Sequence, residues 1–131
     1  MDKVSINGEQ PKLEGKKLLQ LVCHEMYYDG KLEELANVSY LHVDEKWYRL
    51  YFDYGIIFWR TQESAPQSYE IEELDCSFIA VDVAEKLKLK NEIIKSITPK
   101  IVNNGVEVEF TFNSGKILIF SNTDDVSNYR T

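Results

Sequence analysis

Cys23, His24, His42 and Cys76 supply the only thiols and imidazoles among 131 residues. Together they would make a soft or borderline metal set, but no pair has the C-x-x-C or H-x-x-x-H spacing that brings two ligands together cheaply. A thiol nucleophile needs a base beside it. Cys23 and the adjacent His24 fail that requirement, because a strand sends neighbouring side chains to opposite faces. Carboxylate pairs for acid–base work can be drawn from any chain with 22 Asp and Glu, so none is singled out. The glycine-containing turns lack the sequence of a phosphate-binding loop. No catalytic residue, metal ligand or cofactor is expected, and the two cysteines are read as reduced and buried rather than bridged.

Recognition chemistry is better represented. Residues 47–61, W-Y-R-L-Y-F-D-Y-G-I-I-F-W-R-T, place two aromatic-rich runs on either side of a Phe52-Asp53-Tyr54-Gly55 turn, the composition and punctuation of a β-hairpin. Alternation puts Tyr48, Leu50 and Phe52 on one face and Trp47, Arg49 and Tyr51 on the other. A second run splits the same way, with Val108, Phe110 and Phe112 against Glu107, Glu109 and Thr111, an ordinary buried-versus-solvated division. By that analogy Trp47, Arg49 and Tyr51 face water, joined by Ile56, Phe58 and Arg60 from the next strand. Rings and guanidinium groups of this kind are enriched among the residues that dominate protein interfaces. The plain alternative is that residues 23–38, residues 62–77 or a second sheet cover that face.

Glu70, Glu72, Glu73 and Asp75, with Ile71 and Leu74 between them, form an acidic amphipathic segment suited to a basic surface. The whole chain carries a net charge of −7 and a pI near 4.8, which repels phosphate backbones and argues against nucleic acid as a partner. Negative charge of this size also serves plain solubility.

The elements that must position these residues read as one domain spanning 1–131, with 44% hydrophobic and 28% charged residues, a globular composition. No apolar run approaches the roughly 20 residues of a membrane span, and residues 1–20 lack the apolar stretch of an export signal, so a cytoplasmic protein is expected. Residues 1–12 read as a loose lead-in and Lys16–Val22 as a strand. The stretch 23–38 contains a turn at Asp29-Gly30, with a helical turn after it. Strands then follow over 39–43, 46–53 and 56–61, with turns at Asp44-Glu45 and Tyr54-Gly55. A polar connection over 62–77 leads to a strand over 77–83 and a short helix over 84–91. Strands over 93–102, 106–112 and 116–121 complete the pattern, with Pro99 placing the first of them at an edge or a bulge. The tail from Asn122 reads as a loop.

Residues 40–61 laid on 100–121 match Leu41 with Ile101, Leu50 with Phe110, Ile57 with Ile117 and Trp59 with Ile119. Upstream, Leu13, Leu18 and Leu21 match Leu89, Ile94 and Ile97 at an offset of 76. The expectation is therefore a mainly β protein. Two pseudo-repeated antiparallel β-meanders, 13–61 and 89–121, form a small sandwich or one curved sheet, with one or two short helices. A β-rich α+β layout, with 13–27 as a helix across the sheet, is the rival.

The W-Y-R-L-Y-F-D-Y-G-I-I-F-W-R run, the small size and the acidity resemble small bacterial immunity proteins of contact-dependent growth-inhibition and other polymorphic toxin systems. The resemblance implies a cytoplasmic, non-enzymatic protein that binds a cognate, basic toxin domain and masks its active or substrate-binding surface. Trp47, Arg49, Tyr51, Phe58 and Arg60 would anchor such a complex, and Glu70, Glu72, Glu73 and Asp75 would meet the partner's lysines or arginines. A small-ligand carrier, an enzyme whose residues converge only in the fold, and a homo-oligomeric subunit are the other readings.

Overall fold

The computed structural model describes residues 3–131. Its strands are β1 (Ser5–Asn7), β2 (Gln20–Tyr28), β3 (Lys31–Glu34), β4 (Ser39–Val43), β5 (Lys46–Asp53) and β6 (Ile56–Gln62), then β7 (Tyr69–Ile71) and β8 (Cys76–Asp82). After α1 (Val83–Leu87), the single α-helix among the described residues, come β9 (Ile94–Val102), β10 (Gly105–Phe112), β11 (Ile117–Thr123) and β12 (Val126–Arg130). The larger sheet runs β1-β6-β5-β4-β2-β8-β7, and β3 lies beside the far end of β2. The smaller sheet runs β12-β11-β10-β9. All pairings are antiparallel except that of β1 with β6.

Turn chemistry sets these registers. At Asp29-Gly30, Asp44-Glu45, Tyr54-Gly55 and Asp124-Asp125, both central residues have positive φ, the mirror-image turn whose twist matches that of the flanking strands. Each strand then sends alternate side chains inward. Leu21, Leu41, Val43, Leu50, Ile57 and Trp59 of the larger sheet meet Ile97, Val106, Val108, Phe110, Phe112, Leu118 and Phe120 of the smaller in one buried cluster. Removing the ring of a fully buried Phe110 or Phe120 would cost about 3–5 kcal/mol, so this shared layer is what holds the sheets together.

The mainly β expectation is met as two packed sheets, and several local expectations change. Residues 13–27 do not form a helix: Leu18 hydrogen-bonds backbone to backbone with Glu92, and β2 follows from Gln20. The chain after Asp29-Gly30 is strand β3, not a helical turn. The lead-in contains β1, and the polar connection contains β7 and a 3-10 turn, Glu72–Leu74. The tail is strand β12, because the Asp124-Asp125 turn folds it back on β11.

The offset-60 match also fails on sidedness. Ile57 and Trp59 are core residues, whereas Ile117 and Ile119 point away from it, and Leu118 and Phe120 point in. The cause is one extra residue: Asp53 pairs with Ile56 across a two-residue loop, but Phe112 bonds to Lys116 across Asn113-Ser114-Gly115. A one-residue shift exchanges the faces of every residue that follows.

A different correspondence runs through the ladders. Leu21 pairs with Leu41 as Ile97 pairs with Phe110, Leu41 with Tyr48 as Phe110 with Leu118, and Leu50 with Trp59 as Phe120 with Tyr129. The meander β2-β4-β5-β6 thus matches β9-β10-β11-β12. In the last two strands equivalent residues lie 70 apart, among them the identical pairs Lys46 and Lys116, Arg60 and Arg130, and Thr61 and Thr131. The segments aligned at 76 residues meet each other. Lys17 bridges Ile93, Gly15 donates to Ile94 as Asn91 donates to Leu18, and Leu18 donates to Glu92 as Ile94 donates to Lys16. Such reciprocal bonds are those of a local twofold axis.

The open edge of β9 carries Pro99, which has no N–H to offer. The edge of β12 is closed by a side chain. Glu34, 8% exposed, accepts from the Ser127 N–H at 2.6 Å and from Asn37 Nδ2 at 2.7 Å, while Ala36 N donates to the Ser127 carbonyl. Replacing Glu34 by Ala leaves these donors unsatisfied in a buried place and is expected to cost about 3 kcal/mol in urea unfolding. Faster hydrogen exchange at the Ser127 amide than at other β12 amides is the site-specific signature, and unchanged Ser127 protection would refute the closure.

Candidate functional site

The sequence expected recognition chemistry on the outer face of β5 and β6, and the ladder brings four of its five residues into a block. Tyr51 lies opposite Phe58, and Arg49 lies opposite Arg60. The two rings stack with centroids 4.9 Å apart and planes within 6°. Arg49 Cζ sits 5.8 Å from the Tyr51 centroid and Arg60 Cζ 5.6 Å from that of Phe58, so each guanidinium caps one ring of the stack. All four side chains are half-buried. They are packed by their neighbours yet keep exposed surface.

Trp47 departs from the expectation. It lies on the outer face, but it is only 5% exposed and stacks on His42 across the β4–β5 ladder, with centroids 4.6 Å apart. Alternation specifies which side of the sheet a ring takes, and what else rests on that side is a tertiary matter. Trp47 is packed within the chain rather than presented as a contact.

The middle of the outer face is closed by the chain between β6 and β7. His24, 2% exposed, sits beneath it with Tyr40, Tyr69 and Phe78 edge-on at 5.0, 5.5 and 6.3 Å. Its Nε2 lies 2.9 Å from the Gln67 carbonyl, which can only accept, so Nε2 carries the proton. Nδ1 is then the acceptor for the Tyr40 hydroxyl at 3.3 Å. Ser68 Oγ accepts from the Ala80 N–H and pins the same segment to β8. This buried histidine is a latch for the covering segment. Cys23 lies on the opposite face, in the core, where burial pushes its thiol up to about 12. At neutral pH it is neither a thiolate nor within reach of the His24 ring's face of the sheet.

The acidic residues lie at the far edge of the same sheet. Glu70 is on β7, Glu72 and Glu73 are on the 3-10 turn, and Asp75 follows in a left-handed conformation with φ 52°. Asp29, which the sequence reading did not single out, is brought to them by the Asp29 N–H donating to the Asp75 carbonyl. A cleft of about 290 Å³ opens between Asp29, Glu70, Glu72 and Asp75. Beside it Tyr69 stacks on Phe78 at 4.6 Å, with Tyr69, Tyr28 and Leu74 exposed by 47%, 53% and 58%. The signal for this apolar margin was present in the sequence only as scattered rings, because Tyr69 and Phe78 meet through a hairpin whose first strand has three residues.

Four strand spacings, about 19 Å, separate β5 from β7, and the registers set Glu70 five residues, about 17 Å, further along the strands than Arg49, so the arginine-aromatic block and the acidic corner lie about 25 Å apart. The sequence expected both clusters, and the fold places them toward opposite edges of one sheet rather than together, with Glu70 turned by alternation to the other face from Tyr69. Charge follows the same division: residues 62–82 carry Glu63, Glu70, Glu72, Glu73, Asp75 and Asp82 with no lysine or arginine. Among the described residues, no group of three or more His, Cys, Asp or Glu is positioned to hold a metal ion, and no helix is long and apolar enough to cross a membrane.

Burial holds the His24 imidazolium form unfavourable, and this outweighs the bond to Gln67, so its pKa lies below the ordinary 6.5. An unfolded chain therefore binds a proton near pH 6.5 that the folded one refuses, and stability falls as pH drops through 6.5 toward the lower folded value. Urea midpoints at pH 7, 6 and 5 are expected to fall more steeply for the native chain than for His24→Gln, whose side chain does not titrate. Parallel curves would remove His24 as the source.

Compared with known proteins, the chain matches no family model, no curated protein and no solved structure.

Proposed function

We propose that the chain is a non-enzymatic protein-binding module, an immunity protein that neutralises a basic toxin domain in the cytoplasm by covering its active or substrate-binding surface. The observation that carries this reading is a difference between the two equivalent meanders. Inward positions keep their apolar character, as in Leu50 and Phe120 or Trp59 and Tyr129. Outward positions do not: Arg49, Tyr51 and Phe58 stand where the second meander has Ile119, Ser121 and Asn128. The layer between the sheets demands nothing of an outward ring, and Tyr51 and Phe58, unlike the buried outward rings Trp47 and Tyr40, stay half-exposed, so aromatic residues at these positions in one copy alone call for a role outside the fold.

The mechanism is steric and electrostatic. Stacked, half-buried Tyr51 and Phe58 lose little conformational freedom on docking, which suits them as anchors. The carboxylates at Asp29, Glu70, Glu72, Glu73 and Asp75 attract the lysines and arginines with which a nuclease holds its substrate, and raise the rate of encounter. A standard interface buries roughly 800 Å² per partner, a patch about 30 Å across, so one footprint can span the ~25 Å from the arginine-aromatic block to the near side of the acidic corner. Nucleic acid itself would be repelled by the net charge of −7.

The test is co-expression with a basic toxin domain encoded beside the chain, scored by co-purification and by growth rescue. Tyr51→Ala with Phe58→Ala is expected to weaken binding ~10- to 100-fold. Glu70→Gln, Glu72→Gln, Glu73→Gln and Asp75→Asn together are expected to slow association and flatten its dependence on salt. Folding, followed by circular dichroism, stays intact in both. If both variants bind and rescue like the native chain, the surface is misassigned.

A further inference from the structure

One ring stands on the outer side of each of six consecutive strands of the larger sheet. In strand order they are Phe58 (β6), Tyr51 (β5), Tyr40 (β4), His24 (β2), Phe78 (β8) and Tyr69 (β7). They meet in two groups, Tyr51 with Phe58 toward one edge, and His24 with Tyr40, Phe78 and Tyr69 toward the other. The second meander has Lys100, Glu109, Ser121 and Asn128 where the first has His24, Tyr40, Tyr51 and Phe58, so the band belongs to one copy alone. Over its middle runs the chain between β6 and β7.

That cover is thin. Of residues 63–71 only Pro66 and Ile71 are half-buried, and the other seven are exposed. Residues 63–68 make no backbone-to-backbone hydrogen bond. Apart from Gln62 Nε2 donating to the Ser64 carbonyl at its start, the segment is held by His24 Nε2–H on the Gln67 carbonyl and by the Ala80 N–H on Ser68 Oγ, followed by the three residues of β7. Beneath it His24 is only 2% exposed and Tyr40 8%. Nor has it any slack: five strand spacings, about 24 Å along the sheet, separate β6 from β7, and the seven peptide units from Gln62 to Tyr69 reach about 25 Å at full extension. The segment cannot bow outward over fixed ends. To uncover the rings, β7 has to come away from β8 with it.

We propose that residues 63–71 are a flap that lifts off β8 as one unit and thereby opens the His24 end of the ring band to the partner protein. This rests on the protein-binding reading and adds a gate to it. A segment with few buried contacts and an exposed backbone opens well below the free energy of global unfolding. Once open, it leaves His24, Tyr40 and Phe78 uncovered on the face that already presents Tyr51 and Phe58. It also frees the N–H groups of β8 that point toward β7, an edge with which an extended segment of the partner pairs. A partner that binds only the open form has its affinity reduced by the fraction of chains that are open, so loosening the flap tightens binding.

The flap can be read without any partner, so its failure and the failure of the binding reading are separable. The Ala80 N–H points into the flap, and alternation turns the Phe78 N–H the same way and those of Ile79 and Val81 toward β2. In the full chain, amide exchange followed by NMR and corrected for intrinsic rates is expected to run about 100-fold faster at Phe78 and Ala80 than at Ile79 and Val81. Ser68→Ala, a change at an exposed residue, should speed Phe78 as well as Ala80 about tenfold and tighten binding of the basic toxin domain by about the same factor. Equal exchange along β8, or acceleration confined to Ala80 in the variant, would show a fixed edge strand and overturn the flap. Faster exchange with unchanged affinity would show a flap that the partner ignores and overturn the gate. A toxin domain bound by neither chain would strike the binding reading, with the exchange pattern still deciding the flap.

Discussion

A strand has two faces and a period of two, and the structure depends on that parity being kept through every turn. Two-residue turns at Asp44-Glu45 and Tyr54-Gly55 deliver Leu41, Leu50 and Trp59 to the same side of the larger sheet. The three-residue loop Asn113-Ser114-Gly115 shifts the count by one, and the chain compensates by placing Leu118 and Phe120 where Ile117 and Ile119 would otherwise have been needed. The same parity turns Arg49, Tyr51, Phe58 and Arg60 outward. Core and candidate docking surface are therefore two readings of one alternation.

The second constraint is the layer between the sheets, where residues from both meanders form a single buried cluster. The crossing segments that meet at Lys17 and Ile93 tie its two halves at a local twofold axis, and the hydrogen bonds around that bridge occur in reciprocal pairs. A repeated scaffold leaves differences on its outer faces without a packing explanation. The Tyr51–Phe58 stack opposite the plain Ser121 and Asn128 is such a difference.

Much of the fold was legible because its signals are local. Asp29-Gly30 and Tyr54-Gly55 announce turns, and alternation from 46 to 62 separates Leu50 from Arg49 without any tertiary knowledge. Strands β1, β7 and β12 were hidden for the opposite reason. Each is short and polar on the side seen in sequence, and each exists because a neighbouring edge, that of β6, β8 or β11, supplies its hydrogen bonds. The repeat was visible in part: the upstream echo lies on the twofold bridge, whereas the offset of 60 compared hairpins one strand out of step. At the candidate site, sidedness was readable and exposure was not. Trp47 is buried against His42, and Asp29 joins the acidic corner only through a backbone bond to Asp75.

Pro99 sits midway along β9, at the one long edge of the smaller sheet. An incoming strand from another copy would meet a missing donor at the centre of the ladder it must build, flanked by Thr98 and Lys100, both exposed. Copies of the chain crowded together are thereby kept from pairing edge to edge along β9 into fibrils.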